Sequence, residues 1–187
     1  IIAEKNLVLE GNINLQNYLA CFAALNACGF NHDVFKEACL SFSGLAHRCQ
    51  FVGYFGNRFW YNDSKATNST AMLAALESLS DKHGEIVLLA GGVFKEDNLP
   101  PLPNRLNIRC AIVYGKDAKL LFDKWSGTLS CYMKTDLHTA IDHAMLVSEN
   151  EDTILLSPAC ASYDQYESFL RRGDDFINYA KENYEKN

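Results

Sequence analysis

Trp60-Tyr61-Asn62-Asp63-Ser64-Lys65-Ala66-Thr67-Asn68 is the stretch where an apolar run stops and polar and charged side chains crowd into one corner. Phe59, Trp60 and Tyr61 suit a strand, whereas Met72, Ala75, Leu76 and Leu79 recur at helical spacing, so the polar cluster falls at a strand-to-helix turn. Such turns are where α/β proteins bind ligands. The first turn of a helix offers unpaired N–H groups and the positive end of its dipole. Lys65 adds a full charge, so a phosphate or carboxylate is expected there. The plainer reading makes Asp63 or Ser64 a helix cap and Lys65 a solvated residue of the first turn.

Outward from this turn, strands and helices alternate. Residues 49–55 and 58–61 read as aromatic-rich strands joined through Gly56-Asn57, a pair able to supply the positive φ of a tight hairpin turn. Residues 85–90, 110–114, 130–133 and 153–157 are short apolar runs of the kind buried parallel strands require. Helices are expected near 117–125, 137–147 and 165–183, the last interrupted at Gly173. This order implies an α/β fold, a Rossmann-like doubly wound and mostly parallel sheet with its ligand loops at the carboxyl ends of the strands. Upstream, residues 7–9 read as a short strand. Leu15, Tyr18, Leu19, Phe22 and Leu25 then mark a helix ending near Gly29, and a second helix covers about 33–40. Two helices and one strand cannot close a core, so residues 1–45 are expected to be the α/β tail of a domain whose larger part is missing, the chain being a fragment. Ser43-Gly44-Leu45 then leads into a second domain, 46–187.

The 187 residues are 48% hydrophobic, enough for a sizeable core, and carry a formal charge of −6. That balance argues against coating nucleic acid or an anionic membrane, which takes clustered Lys and Arg, so anionic ligands must be held locally. Cys21, Cys28, Cys39, Cys49, Cys110, Cys131 and Cys160 are odd in number, scattered and free of Cys-x-x-Cys pairs. They read as buried thiols of a cytoplasmic protein, neither a disulfide framework nor a zinc site. No apolar run approaches the roughly 20 residues of a membrane span.

Two further breaks carry chemistry. Ala90-Gly91-Gly92-Val93-Phe94-Lys95 ends a strand in glycines that let backbone approach a ligand, with a lysine able to reach the same anion; alone, it reads equally as an ordinary turn. It is not a P-loop, since Gly-x4-Gly-Lys-Ser/Thr occurs nowhere in these residues. Ser157-Pro158-Ala159-Cys160-Ala161-Ser162-Tyr163-Asp164-Gln165-Tyr166 opens a second strand-to-helix turn, where small residues leave room for a ligand and Ser162 can donate a hydrogen bond. Cys160 has no histidine placed by sequence to activate it as a nucleophile.

Tyr61-Asn62-Asp63-Ser64-Lys65-Ala66-Thr67-Asn68 and Leu155-Leu156-Ser157-Pro158-Ala159-Cys160-Ala161-Ser162 together resemble the ATP-dependent Mur ligase family, and within it the members that add D-glutamate. Gly44-Leu45-Ala46-His47-Arg48 is similar to the family's link between central and C-terminal domains, and Asn14 and Asn17 to its adenine-side Asn-x-x-Asn. The chain departs from the family pattern at Ile13, often His, at Val93, often Asp, and at Tyr166, usually Phe. The resemblance implies that residues 1–45 end an ATP-binding central domain and that 46–187 form the C-terminal, D-glutamate-binding domain. Its implied reaction joins D-glutamate to UDP-N-acetylmuramoyl-L-alanine through an acyl phosphate, with ATP and Mg2+ held mainly by parts outside this chain. By the same match Lys65 is the catalytic cation, Thr67 and Lys95 bind the α-carboxylate of D-glutamate, and Ser162 with the Phe169 N–H binds the γ-carboxylate. Asn14, Asn17, Arg48 and Asp63 bind nucleotide, and no metal ligand is assigned. A monomer is expected. The alternatives are another Mur-type amino-acid ligase, or a non-catalytic nucleotide- or anion-binding module of the same fold.

Overall fold

The computed structural model describes residues 7–9 and 12–185, in two compact units, Ile1–Leu45 and Ala46–Asn187. In the first unit, residues 8 and 9 form a bend, so the strand expected at 7–9 is absent; among the described residues no strand pairs with this run, and Leu9 N donates to the Tyr18 hydroxyl at 3.3 Å instead. Helix α1 (Asn12–Ala27) ends as the sequence expects. Gly29 takes φ +74°, its N–H donates to Asn26 O at 3.1 Å, and Phe30 N donates to Leu25 O at 3.0 Å, which ties off the last carbonyls. Helix α2 (His32–Ser41) starts at Asn31, whose side chain accepts from Asp33 N at 2.8 Å. Phe22 joins the two helices, its ring 5.4 Å from Phe35. Cys39 is the one buried apolar residue in the described part of this unit, while Leu19, Val34 and Leu40 are exposed. Cys21 and Cys28 are exposed too, against the expectation of buried thiols, because among the described elements of the unit α1 packs against α2 alone.

The second unit is a six-stranded sheet in the order β1-β2-β6-β3-β4-β5, built from β1 (Gln50–Phe55), β2 (Arg58–Asn62), β3 (Ile86–Gly91), β4 (Ile108–Tyr114), β5 (Ser130–Lys134) and β6 (Thr153–Leu156). All neighbours pair in parallel except the β1/β2 hairpin, turned by Gly56 (φ +54°) and Asn57 (φ +60°). β3 and β6 are buried along their whole length, as expected for strands covered on both faces. Successive residues of β3 serve opposite cores. Ile86, Leu88 and Ala90 pack with α3 (Ser69–Leu79) and α4 (Ala118–Trp125), whereas Val87 and Leu89 pack with α5 (Leu137–Val147) and α6 (Phe169–Tyr184). Helices thus cover both faces, the doubly wound arrangement the alternation implies.

Two helix starts differ from expectation. α3 begins at Ser69, capped by Asn68, whose side chain accepts from Ala71 N at 2.8 Å. The cap is therefore neither Asp63 nor Ser64, and Lys65 lies in the turn before the helix. α6 begins at Phe169 because Ser162 O accepts from both Gln165 N and Tyr166 N, which holds the preceding segment in a turn, and Ser168 caps the helix. Nor does Gly173 interrupt α6. A Cβ there would stand 2.2 Å from His47 Nδ1, so glycine serves close packing of the buried histidine.

Candidate functional site

β2, β6 and β3 are neighbours, and the turns at their carboxyl ends carry the second-unit site residues other than Arg48. After β2, Asn62 ends the strand fully buried; its Oδ1 accepts from Ser64 N at 3.0 Å, and its Nδ2 lies 3.0 Å from His47 Nδ1 and 3.3 Å from Gly173 O. Nδ2 can only donate, so His47 Nδ1 accepts and the ring proton sits on Nε2, facing Asp174 Oδ1 at 3.7 Å. Lys65 N donates to His47 O at 3.0 Å, which locks the lysine's turn onto the segment carrying Arg48. His47 (φ +61°) and Cys49 (φ +44°) flank Arg48 in left-handed backbone, a conformation that costs energy for residues other than glycine and persists only where anchors hold it. The anchors are Gln50 Oε1, accepting from His47 N at 3.0 Å, and Asp63 Oδ1, accepting from Cys49 N at 3.0 Å. Arg48 itself is exposed.

Asp63 is 7% exposed, and its other oxygen accepts from Ser157 Oγ at 2.7 Å. Burial pushes its carboxyl up to about 6, against the opposing pull of these two hydrogen bonds. Both oxygens already hold an internal donor, so the group braces the Arg48 turn against the loop after β6, and a ligand hydroxyl would be a further donor. The Lys65 ammonium is exposed and lies 4.1 Å from the centre of the Phe169 ring. Thr67 is half-buried, its N–H donating to Lys65 O at 2.8 Å.

After β3, Gly91 and Gly92 take φ +154° and +123°, and a Cβ on Gly92 would meet Ala161 O at 2.1 Å. That close approach lets Val93 exchange backbone bonds with Ala161, N to O at 2.8 Å and O from N at 2.9 Å. The next residue is tied as well, Phe94 N donating to Asp117 Oδ2 at 2.8 Å. Lys95 is exposed, its ammonium 4.6 Å from the Tyr163 ring centre. After β6, Ser162 is 2% exposed, and its hydroxyl carries no hydrogen bond among the described residues. Phe169 opens α6, so its N–H has no partner within the helix. Burial pushes the Cys160 thiol up to about 12, which suits a packing residue rather than a nucleophile. The Tyr166 hydroxyl, an addition to the family pattern, donates to Asp175 Oδ2 at 2.6 Å.

The sequence reading missed the group that gathers these turns. Arg172 is fully buried, with Nε donating to Ser64 Oγ at 3.0 Å, Nη2 to Ser64 O at 2.9 Å and to Cys160 O at 3.0 Å, and Nη1 to Gly91 O at 3.3 Å. One guanidinium fork thus meets the turns after β2, β3 and β6. The Ser64 hydroxyl in turn donates to Phe169 O at 2.8 Å. The available signal was helical spacing: Arg172, Phe176 and Ala180 share the buried face of α6, whereas Arg171 points away. Glu96, also unassigned, accepts from Ser69 N at 2.7 Å, so a carboxylate of the chain itself already occupies the first amide of α3. Lys65, Lys95 and Arg48 have no carboxylate within ion-pair distance among the described residues. Lys65, Thr67, Lys95, Ser162 and Phe169 therefore stand on one end of the sheet. Asn14 and Asn17 stand one turn apart on α1, in the first unit. No described helix is long and apolar enough to cross a membrane.

Residues 47–160 match the family model described as Mur ligase, glutamate ligase domain. The chain is 38% identical over 185 residues to the UDP-N-acetylmuramoylalanine--D-glutamate ligase of Alcanivorax borkumensis, covering 97% of this chain and 42% of that protein. It is 40% identical over 183 residues to the enzyme of the same name from Shewanella oneidensis, covering 97% and 40%. The chain thus spans about two fifths of the length of the curated relatives it matches. Among solved structures, MurF from Acinetobacter baumannii superposes with a TM-score of 0.64 at 15% identity, over 91% of this chain and 39% of that one. E. coli FolC in complex with ADP gives 0.63 at 16%, over 89% and 40%. At those identities the likeness speaks for the fold alone, but the family match covers more than half of the chain and includes the turns that carry Arg48, Lys65 and Lys95: this chain belongs to the Mur ligase family.

Proposed function

We propose that this chain is the amino-acid-binding part of an ATP-dependent ligase that joins D-glutamate to UDP-N-acetylmuramoyl-L-alanine. The observation that carries the reading is that two ammonium groups, Lys65 and Lys95, a Ser162 hydroxyl and the Phe169 N–H stand at the ends of three adjacent strands, none of them with a carboxylate or hydrogen-bond partner among the described residues. The high identity to enzymes of that name supports it.

A carboxylate does not accept an amine, because its oxygen leaves poorly. Transfer of the γ-phosphoryl group of ATP to that oxygen gives an acyl phosphate and ADP. The amine of D-glutamate then adds to the carbonyl carbon, and the tetrahedral intermediate expels phosphate while the nitrogen loses a proton. Negative charge builds on the phosphoryl and carbonyl oxygens, where a fixed cation lowers the barrier. In this reading Lys65 is that cation, seated 4.1 Å from the centre of the Phe169 ring. Thr67 and Lys95 hold the α-carboxylate of D-glutamate, and Ser162 with the Phe169 N–H holds the γ-carboxylate. Arg48 meets the nucleotide phosphates from its braced turn, Asp63 takes a ribose hydroxyl as a third donor, and Asn14 and Asn17 approach the adenine. Residues 1–45 then close an ATP-binding domain, and 46–187 form the D-glutamate domain. Among the described residues no group of three or more His, Cys, Asp or Glu is arranged to hold a metal ion by itself, and magnesium in such sites is commonly held by one or two carboxylates together with substrate phosphates. The ion would be held by the nucleotide phosphates and by groups elsewhere in the enzyme.

In the full-length enzyme, Lys65→Ala should lower turnover by about 100- to 1,000-fold, as removal of one such contact commonly does, with an unchanged thermal midpoint. Near-parental turnover would return Lys65 to a solvated turn residue. A screen of D-glutamate, L-glutamate, L-alanine and diaminopimelate should give product with D-glutamate alone; preference for another amino acid would mark a different member of the family.

A further inference from the structure

Glu96 takes no part in the reaction as written, yet its carboxylate makes the 2.7 Å bond that joins the loop after β3 to the N-terminus of α3. The loop is also tied by Val93 to Ala161 and by Phe94 N to Asp117 Oδ2 at 2.8 Å, so the backbone is fixed on both sides of Lys95. The lysine side chain leaves this frame and rests over Tyr163, an exposed residue next to Ser162. We propose that Glu96 and Tyr163 are positioning residues for Lys95: Glu96 fastens the Lys95 loop to the helix that follows Thr67, and Tyr163 holds the ammonium beside Ser162. The inference rests on the D-glutamate reading above.

Two physical arguments support the pairing. A carboxylate adjacent in sequence is the natural competitor for Lys95, since it could neutralise the ammonium before a substrate carboxylate arrives. Anchored on the first amide of α3, at the positive end of the helix dipole, Glu96 is kept occupied, and Lys95 has no carboxylate partner among the described residues. An aromatic face attracts an ammonium without neutralising it, so the charge stays available to the ligand. Both effects order Lys95 before binding, and a pre-ordered contact made equally to bound substrate and transition state appears in KM and not in kcat.

The test uses the full-length enzyme with Glu96→Ala, Glu96→Gln, Tyr163→Ala and Tyr163→Phe. Glu96→Ala should raise the KM for D-glutamate by about three- to tenfold, with kcat and the KM for ATP and for the UDP substrate within about twofold of parent. Glu96→Gln keeps an acceptor for Ser69 N and should recover most of the loss. Tyr163→Ala should raise the same KM by about two- to fivefold, and Tyr163→Phe should restore it. An unchanged D-glutamate KM in both alanine variants overturns the proposal, and so does an equal rise in all three KM values, which would mark general loosening. Amide exchange at Ser69 provides a readout free of the functional reading: it should quicken at least about tenfold in Glu96→Ala and stay slow in Glu96→Gln. An unchanged rate in Glu96→Ala refutes the fastening by Glu96. Should the parent enzyme reject D-glutamate while Ser69 exchange behaves as expected, the functional reading fails and the fastening stands.

Discussion

Replacing Arg172 by methionine keeps most of the side chain's length and apolar stem but deletes every donor. The variant leaves the carbonyls of Ser64, Gly91 and Cys160 facing an apolar group in a fully buried place, while the Ser64 hydroxyl keeps its bond to Phe169 O. An orphaned buried acceptor costs about 1 to 3 kcal/mol, so three such groups bound the loss at about 3 to 9 kcal/mol. The upper part of that range is not reached. The Gly91 bond is long at 3.3 Å, and removing the guanidinium also removes the cost of burying its charge. A net loss of about 3 to 5 kcal/mol follows, a large share of the roughly 5 to 15 kcal/mol that holds a domain folded. Urea unfolding should show a lower midpoint at unchanged slope. Arg172→Lys separates charge from geometry: a single ammonium cannot span three turns, so it should lose about 2 to 3 kcal/mol even though the charge is kept. A loss below about 1 kcal/mol in Arg172→Met, or parental stability in Arg172→Lys, would refute the view that one planar fork gathers the three turns.

Two further outcomes follow from the same geometry. Burial raises the Asp63 carboxyl to about 6, so the folded state binds the proton more tightly than the unfolded chain does. The stability it contributes is full below about pH 4 and is lost as pH rises through about 6, by up to about 3 kcal/mol; Asp63→Asn, measured by urea unfolding at pH 4 to 8, should flatten that slope, and an unchanged profile would refute it. Gly173→Ala should destabilise by about 2 kcal/mol or more in thermal melts even though alanine favours a helix by about 1 kcal/mol, because its Cβ would stand 2.2 Å from the His47 ring and 3.0 Å from Asn62 Nδ2; a gain in stability would show that the buried pair can move aside.

The sequence by itself determined the sheet's strands, the hairpin turn and the helices between them, because the period of apolar residues is a local property that burial on one or two faces imposes. It also determined the family, since Asn62-Asp63-Ser64-Lys65-Ala66-Thr67-Asn68 and the run from Ser157 to Ser162 are contiguous and need no partner to be recognised. The strand order, which seats β6 between β2 and β3, was set by the folded chain alone, and it is this order that brings Lys65, Lys95 and Ser162 to one end of the sheet. The start of α3 was likewise decided by competition among acceptors: Asp63 is drawn off to Cys49 N and Ser157 Oγ, which leaves Asn68 to cap. Helical spacing sets Arg172 apart from Arg171 but does not say which groups it meets, and nothing local distinguishes Glu96 from a solvated neighbour of Lys95. Their roles come from carbonyls and amides distant in the chain, whose positions exist only once the strands have paired, and a hydrogen bond over such separations has no period for a sequence to reveal.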